Sequence, residues 1–177
     1  MSKKEIKKYQ IISAIIVFIL GTLLHFTYNF FDENKFIGII SSINESVWEH
    51  LKLIFFPMIF NTIVGYIYIG KKIPNFLCSK TIGIITAILT MIVFFYTYSG
   101  ILGKNIAIVD ILSFYIIVAL GEFVSYIFMI NRIKCNNKLS VAILLVILLL
   151  FVVFTFKAPP IGIFKDPIIQ ETQINRN

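Results

Sequence analysis

The residues best equipped for chemistry lie in one short run: Asn44-Glu45-Ser46-Val47-Trp48-Glu49-His50-Leu51-Lys52. Glu45 and Glu49 are four apart, so on a helix both carboxylates leave one face, and Lys52 follows Glu49 by three on that face. His50 stands about 100° away, on a stripe continuing through Pro57 and Asn61. Paired carboxylates beside an imidazole are the ingredients of a divalent-metal site or of acid–base catalysis. The chain holds 2 histidines, so a three-histidine zinc site within one chain is excluded. A site of His25, His50 and one carboxylate (Glu45, Glu49 or Asp110) remains open. In that scheme the histidines are ligands, with Asp110 a further metal-ligand candidate. One of Glu45 and Glu49 is then the third ligand and the other a general base.

The same run has a plainer reading. Ser42 with Glu45 three later has the form of a capping box, and Asn44 is a good helix N-cap. Carboxylates near a helix N-terminus complement its dipole, and Trp48 suits a membrane interface. Capping and anchoring account for Glu45 as well as chemistry does. They account less well for Glu49 and His50, which no cap requires.

The elements that must position these groups are membrane helices. Hydrophobic residues make up 58% of the 177 and charged residues 14%, too apolar a mix for a soluble domain of this size. Unbroken apolar runs predict an all-α bundle of five spans, at 11–31, 45–69, 81–98, 106–130 and 139–156, with a tail at 157–177. One integral membrane domain fills the chain, and no repeat is visible. Lys3, Lys4, Lys7, Lys8, Lys71, Lys72, Lys80, Arg132, Lys134 and Lys138 fall on one side of these spans. The positive-inside rule then puts the N-terminus in the cytoplasm and the C-terminus outside, in a multi-pass plasma-membrane protein. The net charge of +7 belongs to this topology and not to nucleic-acid binding.

On that topology the polar groups gather at the outer end. His25 lies in the outer half of span one, with Tyr28 and Asn29 following on nearly the same face. Tyr96 and Tyr98 close span three, and Asp110 opens span four. An ionisable group inside a span points to function, so His25 is read as functional against the alternative of a neutral interhelical hydrogen bonder. Asp110 also suits a helix N-terminus. Glu122 lies deeper in span four, as either a proton-relay group or an interhelical hydrogen bonder.

Cys78 and Cys135 fall at cytoplasmic ends, where thiols stay reduced, so no disulfide is expected. Ser79 with Gly83, Thr86 with Thr90 and Gly121 with Ser125 are small pairs that let helices approach closely. The proline-broken tail is either a lid over the outer end or an idle interfacial segment. No His-Glu-x-x-His, Gly-x-Ser-x-Gly or phosphate-cradling loop is present.

The run Asn44 to Lys52, followed by Pro57, resembles the signature of an uncharacterised family of small bacterial integral membrane proteins. His25-Phe26, Pro159-Pro160, Phe164, Asp166 and Pro167 are similar to further positions of that family. The resemblance implies a bacterial membrane protein and no particular activity.

Function therefore has two readings. One is an outward-facing polar site that binds a divalent metal and acts as a hydrolase on a lipid or envelope substrate. The other is a non-enzymatic permease or complex subunit, with a membrane-protein partner or a second copy, whose polar residues form an interhelical network. The lipid bilayer is a partner in both.

Overall fold

The structure, a computed structural model, describes residues 1–166. Among them are six α-helices and no strand: α1 (Lys3–Phe30), α2 (Lys35–Gly38), α3 (Val47–Tyr68), α4 (Phe76–Leu102), α5 (Ala107–Ile130) and α6 (Asn137–Phe156). All but α2 are long and apolar enough to cross a membrane, as the five predicted spans require.

The helix starts are set by polar caps that hydropathy overlooks. The Ser2 hydroxyl accepts from the Glu5 N–H at 3.3 Å while the Glu5 carboxylate accepts from the Ser2 N–H at 2.7 Å. That box draws Lys3, Lys4, Lys7 and Lys8 into α1. At α3 the cap is Ser46, whose hydroxyl accepts from the Glu49 N–H at 3.4 Å. This corrects the expectation that Asn44 or a Ser42–Glu45 box would cap it. Asn44 instead accepts from the Ser46 N–H at 2.9 Å, and Ser42 donates to the Asn44 carbonyl at 2.7 Å. Both shape the turn ahead of the helix. Gly103, with φ of 70°, ends α4 in the left-handed conformation that glycine adopts most easily.

α3 is the most enclosed span and packs on α1 and α4, and α4 packs on α5 and α6. Leu51, Ile54, Phe55 and Met58 of α3 meet Val17, Ile84, Val118 and Phe151 in the core. The α4–α5 contact rests on two of the expected small pairs. A Cβ on Gly121 would sit 2.7 Å from the Gly83 carbonyl oxygen, and Ser125 lies against Gly83. Pro57, inside α3, has no N–H to give the Leu53 carbonyl. Gly21 of α1 approaches that carbonyl, where a Cβ would come within 2.7 Å.

Lys80 does not lie in a cytoplasmic loop, as the positive-inside count takes it to. Helix α4 begins at Phe76, so Lys80 is fully buried on its first turns. Its ammonium donates to both Glu122 oxygens, at 2.7 and 2.6 Å, and to Ser13 at 3.0 Å. Ser13 donates to Glu122 at 2.8 Å and accepts from Asn61. Glu122 is thus the anionic half of a buried ion pair joining α1, α4 and α5.

Cys78 and Cys135 form a disulfide, correcting the expectation of free thiols. Sequence placed both at the same end of the bundle. Folding brings the start of α4 against the loop before α6, with Asn137 accepting from the Cys78 N–H at 3.1 Å and donating to the Pro74 carbonyl at 2.7 Å.

The described part of the tail folds back. Phe164 packs on Trp48 and Phe154, at ring separations of 4.8 and 5.2 Å. Asp166 accepts from the Glu45 N–H at 3.2 Å. Pro167 and the rest of the expected lid lie outside the described residues.

Candidate metal site at one end of the bundle

Three elements converge on one point. His25 comes from the last turns of α1, Glu45 from the turn before α3, and His50 from the first turn of α3. His25 Nε2 is 3.8 Å from Glu45 Oε1, and His50 Nε2 is 3.4 Å from Glu45 Oε2. The imidazole centroids are 5.4 Å apart. One ligand atom from each residue falls within 4.8 Å of the other two. Bonds of about 2.0–2.2 Å to a tetrahedral ion put ligand atoms roughly 3.4 Å apart, so side-chain shifts of about 1 Å close the set.

Local bonds prepare these side chains. His50 Nδ1 lies 3.0 Å from the Ser46 carbonyl oxygen. A carbonyl only accepts, so Nδ1 carries a proton, and Nε2, beside Glu45, is the ring atom left to bind a metal in the neutral form. His25 Nδ1 is buried with no partner among the described residues. A buried polar atom left this way calls for a water, an ion or a ligand group. Asp166 holds the Glu45 backbone from above.

The three groups open onto a cavity of about 310 Å³ between α1, α3, α4 and α5. Asp110 lines it from α5, and its carboxylate accepts from the Tyr98 hydroxyl. Asn105 and Thr22 are also polar parts of the wall. Most of the remainder is apolar, including Phe26, Leu53, Phe95 and Phe114.

Of the residues singled out in the sequence, His25, Glu45, His50 and Asp110 therefore face one cavity. Glu49 and Lys52 do not. Glu49 is buried and pairs with Lys52 at 2.5 Å, and it accepts from the Ile43 N–H at 2.9 Å. Lys52 is fully buried and donates to the Gly38 carbonyl at 2.7 Å and to Thr155 at 3.2 Å. This pair locks the turn after α2, and the end of α6, against α3. Asn44 serves the turn, Asn29 is exposed, and Glu122 belongs to the separate pair with Lys80. Sequence reasoning did not single out Tyr98 with Asp110, nor Ser46 with His50. The i−4 spacing of Ser46 from His50 is the signal that finds the second.

Helices of this length and apolarity define a multi-pass membrane protein, with a polar cluster at one end of the bundle. The chain belongs to the family of unknown function DUF6512, which matches residues 1–174. That agrees with the resemblance to an uncharacterised family read from the sequence. No curated protein and no solved structure matches it.

Proposed function

We propose that this protein holds a divalent metal ion on His25, His50 and Glu45, and that it is a metal-assisted hydrolase. The observation carrying this reading is the convergence of two imidazoles and a carboxylate within 4.8 Å beside a cavity. Two histidines and a carboxylate are a known zinc donor set, and three protein ligands leave a position for water or substrate. Such an ion acidifies water and polarises an ester or phosphoester oxygen. In this reading Asp110, which lines the same cavity and accepts from Tyr98, takes the proton and returns it to the leaving oxygen. This departs from the scheme read in the sequence, where Asp110 is a ligand candidate and Glu49 the base once Glu45 binds the ion; Glu49 is engaged by Lys52.

The nine Lys and Arg that remain in the count without Lys80 favour an outward-facing site in a bacterial plasma membrane, whereas the Cys78–Cys135 disulfide at the opposite end favours the reverse orientation. The Lys80–Glu122 pair supports the permease or complex-subunit alternative only weakly, because its bonds stay within a local cluster of Gln10, Ser13 and Asn61. They do not lead along the bundle. An assay of zinc- and manganese-loaded protein on single-chain carboxylic and phosphoric esters tests the reading. Turnover that falls by at least a hundredfold in Asp110→Asn, with metal content unchanged, is expected. Turnover insensitive to Asp110→Asn removes Asp110 from the scheme, and no turnover on either ester class removes the hydrolase.

A further inference from the structure

The titratable groups of the cavity are gathered at one end of it, along the helix axes. His50 and Asp110 lie one turn inside their helices, roughly 5 Å from the ends at 1.5 Å per residue. Leu53 and Phe114 lie about two turns in, roughly 10 Å. Met91 and Gly21 lie about three turns in, roughly 15 Å. The imidazoles and carboxylates therefore sit at the mouth, and the depth is apolar apart from Thr22 and Tyr115, whose hydroxyls bond to one another.

The cavity also reaches the flank of the bundle. Phe26 of α1 is 62% exposed and Ile111 of α5 is 53% exposed, yet both line it. Both therefore stand at the rim of the cavity on the lipid-facing flank of α1 and α5. Deeper between the same two helices, Thr22 and Tyr115 hydrogen-bond at 3.2 Å. The volume is at the lower end of the ~300–1,000 Å³ typical of ligand sites, room for one chain and not two.

We infer that the cavity takes a single-chain lipid from the membrane, its head at His25, Glu45 and His50 and its chain along Leu53, Phe114 and Met91. The lipid enters sideways past Phe26 and Ile111. The inference deepens the metal-site reading and rests on it for the head group. Without a cation, Glu45 and Asp110 repel an anionic head. With a divalent ion held by His25, His50 and Glu45, a phosphate or carboxylate oxygen would become the favoured fourth ligand.

Leu53 and Met91 allow a clean test, because they line the cavity but are 5% and 7% exposed, out of reach of bulk lipid. The protein is placed in nanodiscs with zinc and a dodecyl phosphate carrying a diazirine at mid-chain, irradiated, and mapped by peptide mass spectrometry. Metal content is measured on the same sample. Labelling of Leu53 and Met91 is expected to fall at least tenfold in Ile111→Trp, which crowds that rim without touching the ligands. It should fall similarly in His50→Ala. Zinc-loaded protein labelled only on its exposed faces overturns the inference and leaves the metal site standing. If the protein holds no metal, the metal reading fails, and the neutral probe 1-dodecanoylglycerol with the same diazirine decides. Labelling of Leu53 and Met91 that is lost in Ile111→Trp then supports the chain site, and its absence overturns it.

Discussion

Replacing Lys80 by methionine keeps most of the side-chain volume and removes the charge facing Glu122. In the folded protein Lys80 donates to both Glu122 oxygens within 2.7 Å, and both residues are buried. Stripping one partner from a buried pair costs about 3–5 kcal/mol, because the other charge is left uncompensated. Ser13 still donates to Glu122 in the variant, which favours the lower end of that range. A loss of about 3 kcal/mol shifts the folding equilibrium roughly a hundredfold or more. Adding Glu122→Leu removes the stranded charge, so the double variant should recover most of the loss. Unfolding in mixed detergent micelles, followed by helical circular dichroism, measures all three proteins. Lys80→Met within about 1 kcal/mol of wild type would refute the reasoning, and so would a double variant no more stable than the single.

Two further predictions concern packing and redox state. Gly121→Leu forces α4 and α5 apart, because its Cβ would sit 2.7 Å from the Gly83 carbonyl oxygen and 3.0 Å from the Ala87 Cβ. A cost of about 1–3 kcal/mol or more is expected. Gly100→Ala, with nothing within 4 Å of its Cβ, should stay close to wild type in the same unfolding assay. A maleimide–polymer reagent applied to denatured membranes should shift the protein on a gel only after reduction, because Cys78 and Cys135 are paired. Prompt labelling of both without reductant would contradict the pairing.

Hydropathy made the five spans legible, because apolar runs of that length admit few other structures. It mislaid their starts. Ser2 with Glu5 and Ser46 with Glu49 set two of them through hydrogen bonds that hydropathy does not weigh. Lys80 was misread for a related reason. A lysine next to a span reads as a loop charge unless its partner is known, and Glu122 lies far along the chain on another helix. The cysteines were placed together at one end of the bundle, but their juxtaposition depends on how the α5–α6 loop meets α4. At the site, the residue types pointed to His25, Glu45, His50 and Asp110. The choice between Glu45 and Glu49 was hidden. Spacing put both carboxylates on one helical face, but α3 begins after Glu45, so the two point apart. Glu45 turns to the histidines and Glu49 to Lys52.

The central claim is that His25, His50 and Glu45 hold a divalent ion. Its most direct test is the metal content of purified protein after reconstitution with zinc, manganese or iron, beside His25→Ala, His50→Ala, Glu45→Ala and Glu49→Gln. One ion per chain is predicted for wild type and Glu49→Gln, with loss in the other three while helical content is unchanged. Wild-type protein that stays metal-free, or that keeps its ion without His25 and His50, would contradict the claim.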